Sequence, residues 1–210
     1  MRTPLQNRVT PFGDIVAVAA RGAWMGNRAV LHGAHRALGA RRWTTHAWLI
    51  CRLHFKDRRR IVMAPGRYTE LFFLDEATAL AAGHRPCFEC RRPDARAFRT
   101  AWIAAHGGDG RAAGIDAALH PARLPPGPRR RTVAAETATL PDGTMVVHPD
   151  EPASACLLRA GALLPWSFAG YGAPRPAPAR VAVLTPMPTV RVLSAGYAPE
   201  VHPSAAAFPA

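Results

Sequence analysis

The chain has 210 residues and a formal net charge of +13, and arginine supplies nearly all of its positive charge because Lys56 is its only lysine. This length can bury a core as one large domain or two small ones without disulfide or metal staples. No stretch reaches the roughly 20 apolar residues of a membrane span, and the N-terminal residues lack the apolar core of a signal peptide. We therefore expect a cytoplasmic protein. Because guanidinium groups pair with phosphates, we expect its partner to be nucleic acid and not a membrane.

The N-terminal residues combine strand and loop signals. Residues 9–18 predict a turn followed by a strand, broken by proline and glycine. Residues 21–32 contain two glycines, Arg28 and His32, and predict either a loop that shapes a pocket or a plain connection between strands.

Residues 43–55 alternate in the manner of a strand, followed by a basic turn. The alternation places Cys51 on an apolar side and His54 on the opposite face, so the two side chains can meet only across a bulge. Residues 61–63 predict the return strand. The turn between the two strands contains Arg58, Arg59 and Arg60.

Two helices are predicted next. Residues 69–74 predict a short buried strand. Asp75 is expected to be the N-cap of a helix that runs through Ala82, and Gly83 is expected to form its left-handed C-terminal cap. Asp94 is expected to cap a second helix that ends at two glycines. The apolar stripe of that helix is formed by Phe98, Ala101, Trp102 and Ala105.

The remainder of the chain changes character. Residues 115–119 predict a short helix, and residues 125–131 form a proline-arginine stretch that cannot continue it. Short apolar runs between proline and glycine turns then predict strands. These runs are residues 144–148, 155–158, 163–166, 181–184 and 190–193.

Together these elements predict an α+β fold. A small mixed sheet with a Cys-x2-Cys zinc knuckle and two helices is expected to precede a β-rich C-terminal subdomain. The predicted units are a zinc-containing domain over residues 1–110, a basic connection over 111–135 and the β-rich subdomain over 136–210.

Cys87 and Cys90 lie between the two predicted helices with the spacing of a metal-binding turn. Such a turn brings two thiolates to one tetrahedral ion, which predicts zinc in preference to a redox pair or buried free cysteines. Cys51 is the best third ligand, because the intervening elements can fold it back beside the turn, and His32 or His54 is the expected fourth. The other candidates for the fourth position are His35, His84, water and substrate.

Residues 76–94 (EATALAAGHRPCFECRRPD) closely resemble the zinc-binding N-terminal domain of the Ada DNA-repair methyl acceptor. That family has a Cys-x2-Cys pair in a similar segment, and residues 50–52 are similar to the start of its first ligand pair. The resemblance implies that Cys51 matches the thiolate that accepts a methyl group from a DNA phosphotriester, which makes Cys51 the candidate catalytic residue. Phe55 stands where the family has a further cysteine, so a histidine or water would complete the site and lower its nucleophilicity.

Clustered arginines predict a phosphate-contacting face. The nucleic-acid-binding candidates are Arg28, Arg58, Arg59, Arg60, Arg91, Arg92, Arg129, Arg130 and Arg131.

The first functional hypothesis is a zinc-containing nucleic-acid-binding protein in DNA repair or modification, with DNA favoured as the partner. An alternative is an enzyme that acts on DNA or nucleotides. It would be either an alkyl acceptor centred on Cys51 or a metal-assisted hydrolase that also uses residues 26–32. A further alternative is a structural zinc fold that binds a protein partner.

Overall fold

The computed structural model describes residues 3–59, 61–124 and 132–208. Over these ranges the chain combines two β-sheets with four α-helices. None of the helices in these ranges combines the length and the apolar character needed to cross a membrane.

The first sheet has six strands and is built from the N-terminal half of the chain. The strands are β1 (Gln6–Val9), β2 (Ile15–Ala17), β3 (Trp24–Asn27), β4 (Leu49–Cys51), β5 (Leu71–Phe73) and β6 (Arg85–Pro86). Their order is β2-β1-β5-β3-β4-β6, with β1–β5 and β4–β6 parallel and the other pairs antiparallel. The predicted turn and strand of residues 9–18 are therefore confirmed as part of the β1–β2 hairpin.

Two predictions near β4 are wrong. The strand expected over residues 43–55 is limited to the three residues of β4, and the return strand expected over residues 61–63 is a turn. β3 pairs with one edge of β4 and β6 with the other, so no edge of β4 is left for a third partner. The segment of residues 21–32, predicted as a loop, contains β3, the strand that pairs with one edge of β4.

Four helices pack with these strands. They are α1 (Glu76–Ala81), α2 (Arg92–His106), α3 (Ala112–Arg123) and α4 (Met187–Ser194). Asp75 caps α1 as predicted, because its carboxylate accepts a 2.8 Å hydrogen bond from the Thr78 N–H. The buried stripe of α2 is confirmed at Phe98, Ala101 and Trp102, whereas Ala105 is half-buried.

The start of α2 was predicted incorrectly, since the helix begins at Arg92 and not after Asp94. Pro93 lies in its first turn, where the missing N–H of proline costs no hydrogen bond. Asp94 instead accepts a hydrogen bond from Arg91 Nε at 3.0 Å.

The second sheet is formed by residues after 132. Its strands are β7 (Val133–Glu136), β8 (Met145–Val147), β9 (Ala155–Arg159), β10 (Ala162–Ser167), β11 (Gly170–Tyr171), β12 (Arg175–Pro176) and β13 (Arg180–Val183). Their order is β11-β10-β9-β8-β13-β7, with β12 also paired to β10, and all of these pairs are antiparallel.

The strand predicted over residues 190–193 is wrong, because these residues belong to α4. Pro188 stands in the first turn of this helix, and Val192 and Leu193 pack into the core beside the first sheet. A short apolar run is compatible with either a strand or a helix, and here the proline-rich start favours the helix. The C-terminal part of the chain thus contributes a helix to the core of the first sheet.

Helix α1 lies between the two sheets and is buried along its whole length. Ala79 and Leu80 pack in the cluster that includes the first sheet and the other three helices. Ala77 and Ala81 pack against the second sheet. The small alanine side chains let both sheets approach one short helix, which joins the two cores.

A buried ion pair fixes α1 to the start of α2. Glu76 Oε1 accepts a hydrogen bond from Arg91 Nη1 at 2.8 Å, and Oε2 accepts one from Arg91 Nη2 at 2.9 Å. The Tyr197 hydroxyl donates to Oε1 at 2.6 Å and the Glu200 N–H to Oε2 at 3.0 Å. The Arg91 guanidinium lies 3.9 Å from the centre of the Trp24 ring. Both charges are therefore fully engaged inside the protein.

We expect Glu76→Gln to lower the free energy of unfolding by about 3–5 kcal/mol, because it leaves the Arg91 guanidinium buried without its counter-charge. The measurement is urea unfolding followed by circular dichroism. The matched control is Glu151→Gln, whose ion pair with Arg175 is about half exposed (side chains 45% and 55%), and its cost should stay within about 0.5 kcal/mol. Equal losses in the two variants would contradict this role of the buried pair.

Candidate metal centre

Three cysteines come together at the end of β4. The Sγ atoms of Cys51, Cys87 and Cys90 all lie within 4.8 Å of one another. Tetrahedral zinc with Zn–S bonds of about 2.3 Å requires sulfur atoms about 3.8 Å apart. The donor set and its spacing therefore fit a metal ion of this kind.

Parallel pairing of β4 with β6 brings Cys51 and Cys87 together. Ile50 lies opposite Pro86 in this pair, and each of these residues is followed directly by a cysteine. The Cys87 N–H donates to the Ile50 carbonyl at 3.0 Å and continues the ladder. Strand β6 is held in turn by Arg85, whose guanidinium makes two hydrogen bonds, of 2.8 and 2.7 Å, to the Asp116 carboxylate on α3.

A turn after Cys87 brings back the third thiol. The Arg91 N–H donates to the Cys87 carbonyl at 3.0 Å, which closes the turn around Cys90. The Glu89 N–H points at the Cys87 sulfur, 3.4 Å away. Backbone N–H groups directed at sulfur stabilise negative charge there, as a metal thiolate requires.

The thiols have different acidities because they share hydrogen bonds. Hydrogen bonds from Cys51, then from Cys90, lower the pKa of Cys87. Hydrogen bonding to Cys87 and Cys90, followed by burial, raises the pKa of Cys51. A bound divalent cation would favour ionisation of these thiols.

The predicted histidine ligands do not join the cysteines. His32 is buried, with Nδ1 2.7 Å from Thr69 Oγ1 and Nε2 3.2 Å from the Ala64 carbonyl, so both ring nitrogens are engaged. His54 is exposed beyond the end of β4. In the described ranges, the group of possible metal ligands at this site consists of the three cysteines. The prediction of His32 or His54 as the fourth ligand is therefore wrong in this structure.

An apolar wall that sequence reasoning missed lies beside the cysteines. Met25 on β3 is paired with Cys51 and packs with it, and Leu49 and Phe72 pack against the same cluster. Gly26 permits this pairing, because a Cβ atom there would lie 2.2 Å from the Leu49 carbonyl oxygen. The sequence carries little signal for this strand, because residues 24–27 do not alternate in burial and include Gly26.

Two of the predicted nucleic-acid-binding arginines are inside the protein. Arg91 forms the ion pair with Glu76. The Arg28 guanidinium lies 4.0 Å from the centre of the Trp48 ring, and its Nε donates to His84 Nε2 at 3.3 Å. Both side chains are almost fully buried, so the prediction that they contact phosphates is wrong.

The other described arginines of that set are exposed. Arg58, Arg59 and Arg92 all lie at the surface. Arg58 makes a 2.5 Å ion pair with Glu89, which lies between Cys87 and Cys90 in the chain. The remaining predicted residues, Arg60 and Arg129 to Arg131, lie outside the described ranges.

We expect Cys87→Ala and Cys90→Ala to reduce zinc affinity by at least about tenfold, because each removes one thiolate from the site. Zinc per chain is measured by plasma mass spectrometry, and affinity by competition with a chromophoric chelator. The matched control is Cys156→Ala, which removes a buried cysteine from β9 in the second sheet. Wild-type zinc binding in either test variant, or no zinc binding by the wild type, would contradict the assignment.

The resemblance to the Ada zinc domain depends on short segments of this chain, residues 50–52 and 76–94. The structure brings the cysteines of these two segments into one group. No family model matches the sequence, and no curated protein or solved structure matches it either.

Proposed function

We propose that this chain is a zinc-containing nucleic-acid-binding protein that acts in DNA repair or modification, with a centre similar to that of the Ada zinc domain. The observation that carries the proposal is the group formed by Cys51, Cys87 and Cys90 next to exposed arginines. In this proposal the three thiolates hold one Zn²⁺, and DNA phosphates pair with the arginines.

The donor set favours zinc. Soft thiolates bind Zn²⁺ strongly, and three protein ligands leave one of the four positions for water or another ligand. Three thiolates on a divalent ion carry a net charge of −1. N–H groups from Glu89, near Cys87, and Arg52, near Cys90, spread that charge over the backbone.

The arginines near the centre can exchange their present partner for phosphate. The Arg58–Glu89 pair is about half exposed, and an ion pair of this kind contributes little to stability. A DNA phosphate can therefore replace Glu89 at Arg58 with a small loss. Arg59 is exposed beside it, and the net charge of +13 attracts a polyanion over a longer range.

Burial of Cys51 favours binding over alkyl transfer. Only 8% of Cys51 is exposed, and Met25 packs directly against it. An alkyl group on DNA would need β4 or its neighbours to open before it reached this sulfur. The hydrolase alternative is disfavoured by the segment of residues 26–32, because Arg28 and His32 are engaged in internal hydrogen bonds.

We expect binding to duplex DNA to weaken steeply with salt, because contacts with about six phosphates give a slope of about −5 in a plot of log affinity against log salt. The measurement is fluorescence anisotropy of a labelled 20-base-pair duplex at several salt concentrations. The double variant Arg58→Ala/Arg59→Ala should reduce the steepness by about two, one for each lost contact.

The matched control is Arg175→Ala/Arg180→Ala, which removes two exposed arginines of the second sheet. It should leave the slope close to that of the wild type. A slope near zero would favour a protein partner over nucleic acid. Equal changes in the two double variants would show that the arginines beside the cysteines are not the contact surface.

A further inference from the structure

A cluster of three aromatic rings lies where the segment before β4 meets the end of α3. The His46 and His120 imidazoles are stacked with centroids 3.8 Å apart and an interplanar angle of 22°. The Trp43 indole meets His120 edge to face at 4.5 Å and lies 5.5 Å from His46. His46 is exposed, and Trp43 and His120 are half-buried, so the cluster reaches the surface.

Arg123 fixes this cluster from beneath. Its guanidinium is buried 4.2 Å from the centre of the Trp48 ring and donates to the Gly83 carbonyl at 2.9 Å. The same group donates to the His46 carbonyl and lies 3.4 Å from His120 Nδ1. One buried side chain therefore ties the aromatic segment to α3, and the rings are ordered before any ligand arrives.

His120 supports the stack in its neutral form. Burial, followed by the charges of His46 and Arg123, lowers the pKa of His120. The ring is consequently neutral at pH 7, and Nδ1 can accept a hydrogen bond from Arg123. A neutral imidazole can stack on His46 without charge repulsion.

Two exposed arginines lie directly beside the rings. Arg41 and Arg42 line an open surface cleft of about 450 Å³ together with Trp43 and Thr44. Arg42 donates to the Gly39 carbonyl at 2.8 Å, which holds its guanidinium near the backbone of this segment. The cleft therefore combines an aromatic ring with two positive charges.

A second group of aromatic residues, within residues 166–171, does not form such a cleft. Trp166 donates from Nε1 to Thr78 Oγ1 at 3.0 Å and packs against the core of the second sheet. Tyr171 is buried with its hydroxyl 2.6 Å from Asp75. These rings are used within the fold.

We propose that the cleft at Trp43 is a nucleobase-stacking site for single-stranded nucleic acid, with one base on the indole and the flanking phosphates on Arg41 and Arg42. Basic grooves with aromatic platforms bind single strands in this way, because every base has a face that can stack. Bases within a duplex already stack on their neighbours and cannot offer that face. The proposal rests on the proposed nucleic-acid function and assigns to it a second contact surface and a single-stranded substrate.

The test uses labelled 12-mers of equal charge, oligo(dT) and an abasic oligodeoxynucleotide, in anisotropy titrations of the full chain. The wild type should bind oligo(dT) about tenfold more tightly, because only this ligand can stack. Trp43→Ala should remove that preference, and Trp43→Phe should retain part of it. Arg41→Ala/Arg42→Ala should weaken binding of both ligands equally, since it removes phosphate contacts alone.

Tryptophan fluorescence is the second readout, and it separates the loss of base stacking from a loop that the Trp43→Ala substitution has disturbed. Oligo(dT) should quench tryptophan fluorescence in the wild type, and the conservative variant Trp43→Phe should lose this quenching while it still binds. Equal affinity of the wild type for the two 12-mers overturns the stacking site but leaves the proposed nucleic-acid function intact. Absence of binding to both ligands and to the duplex overturns both. An oligo(rU) arm distinguishes DNA from RNA as the source of the stacked base, and tight binding of either supports the site.

Discussion

Two adjacent buried carboxylates, Asp75 and Glu76, determine how the parts of this molecule are joined. Asp75 Oδ1 caps α1, and Oδ2 accepts hydrogen bonds from the Tyr171 hydroxyl at 2.6 Å and the His202 N–H at 3.0 Å. Glu76 binds Arg91 at the entrance of α2 and the backbone of Glu200. Both carboxylates lie at the N-terminus of a helix, where the macrodipole favours negative charge. One short helix start therefore connects the first sheet, the second sheet and the C-terminal segment.

The same carboxylates keep their tyrosine partners protonated. Burial, together with the nearby charge of Asp75, raises the pKa of Tyr171 well above its ordinary value. Burial and Glu76 do the same for Tyr197. Both hydroxyls thus remain donors throughout the neutral range, and ionisation of either would bury two like charges side by side. The network can therefore serve as a fixed frame for the cysteine group.

Local signals in the sequence predicted the features that depend on neighbouring residues. Spacing alone predicts the cap at Asp75, the apolar stripe of α2 and the turn of Cys87 and Cys90. Cys51 could be predicted as a member of the cysteine group because strands bring distant residues together. The burial of Arg91 could not be predicted, because its counter-charge lies 15 residues earlier in the chain. His32 failed as a ligand for the same kind of reason, since Thr69 and Ala64 engage its ring from distant segments.

The turn that contains Cys87 and Cys90 has one neighbouring residue in the core and another at the surface. On one side of Cys90, Arg91 is held by the buried carboxylate of Glu76, which fixes the end of the turn to the frame of the fold. On the other side, Glu89 is exposed and pairs with Arg58. The cysteine turn thus has a buried ion pair on its α1 side and an exposed ion pair on its solvent side. In the proposed function, phosphate binding at Arg58 would release Glu89, the residue just before Cys90, without disturbing the buried pair of Arg91 and Glu76.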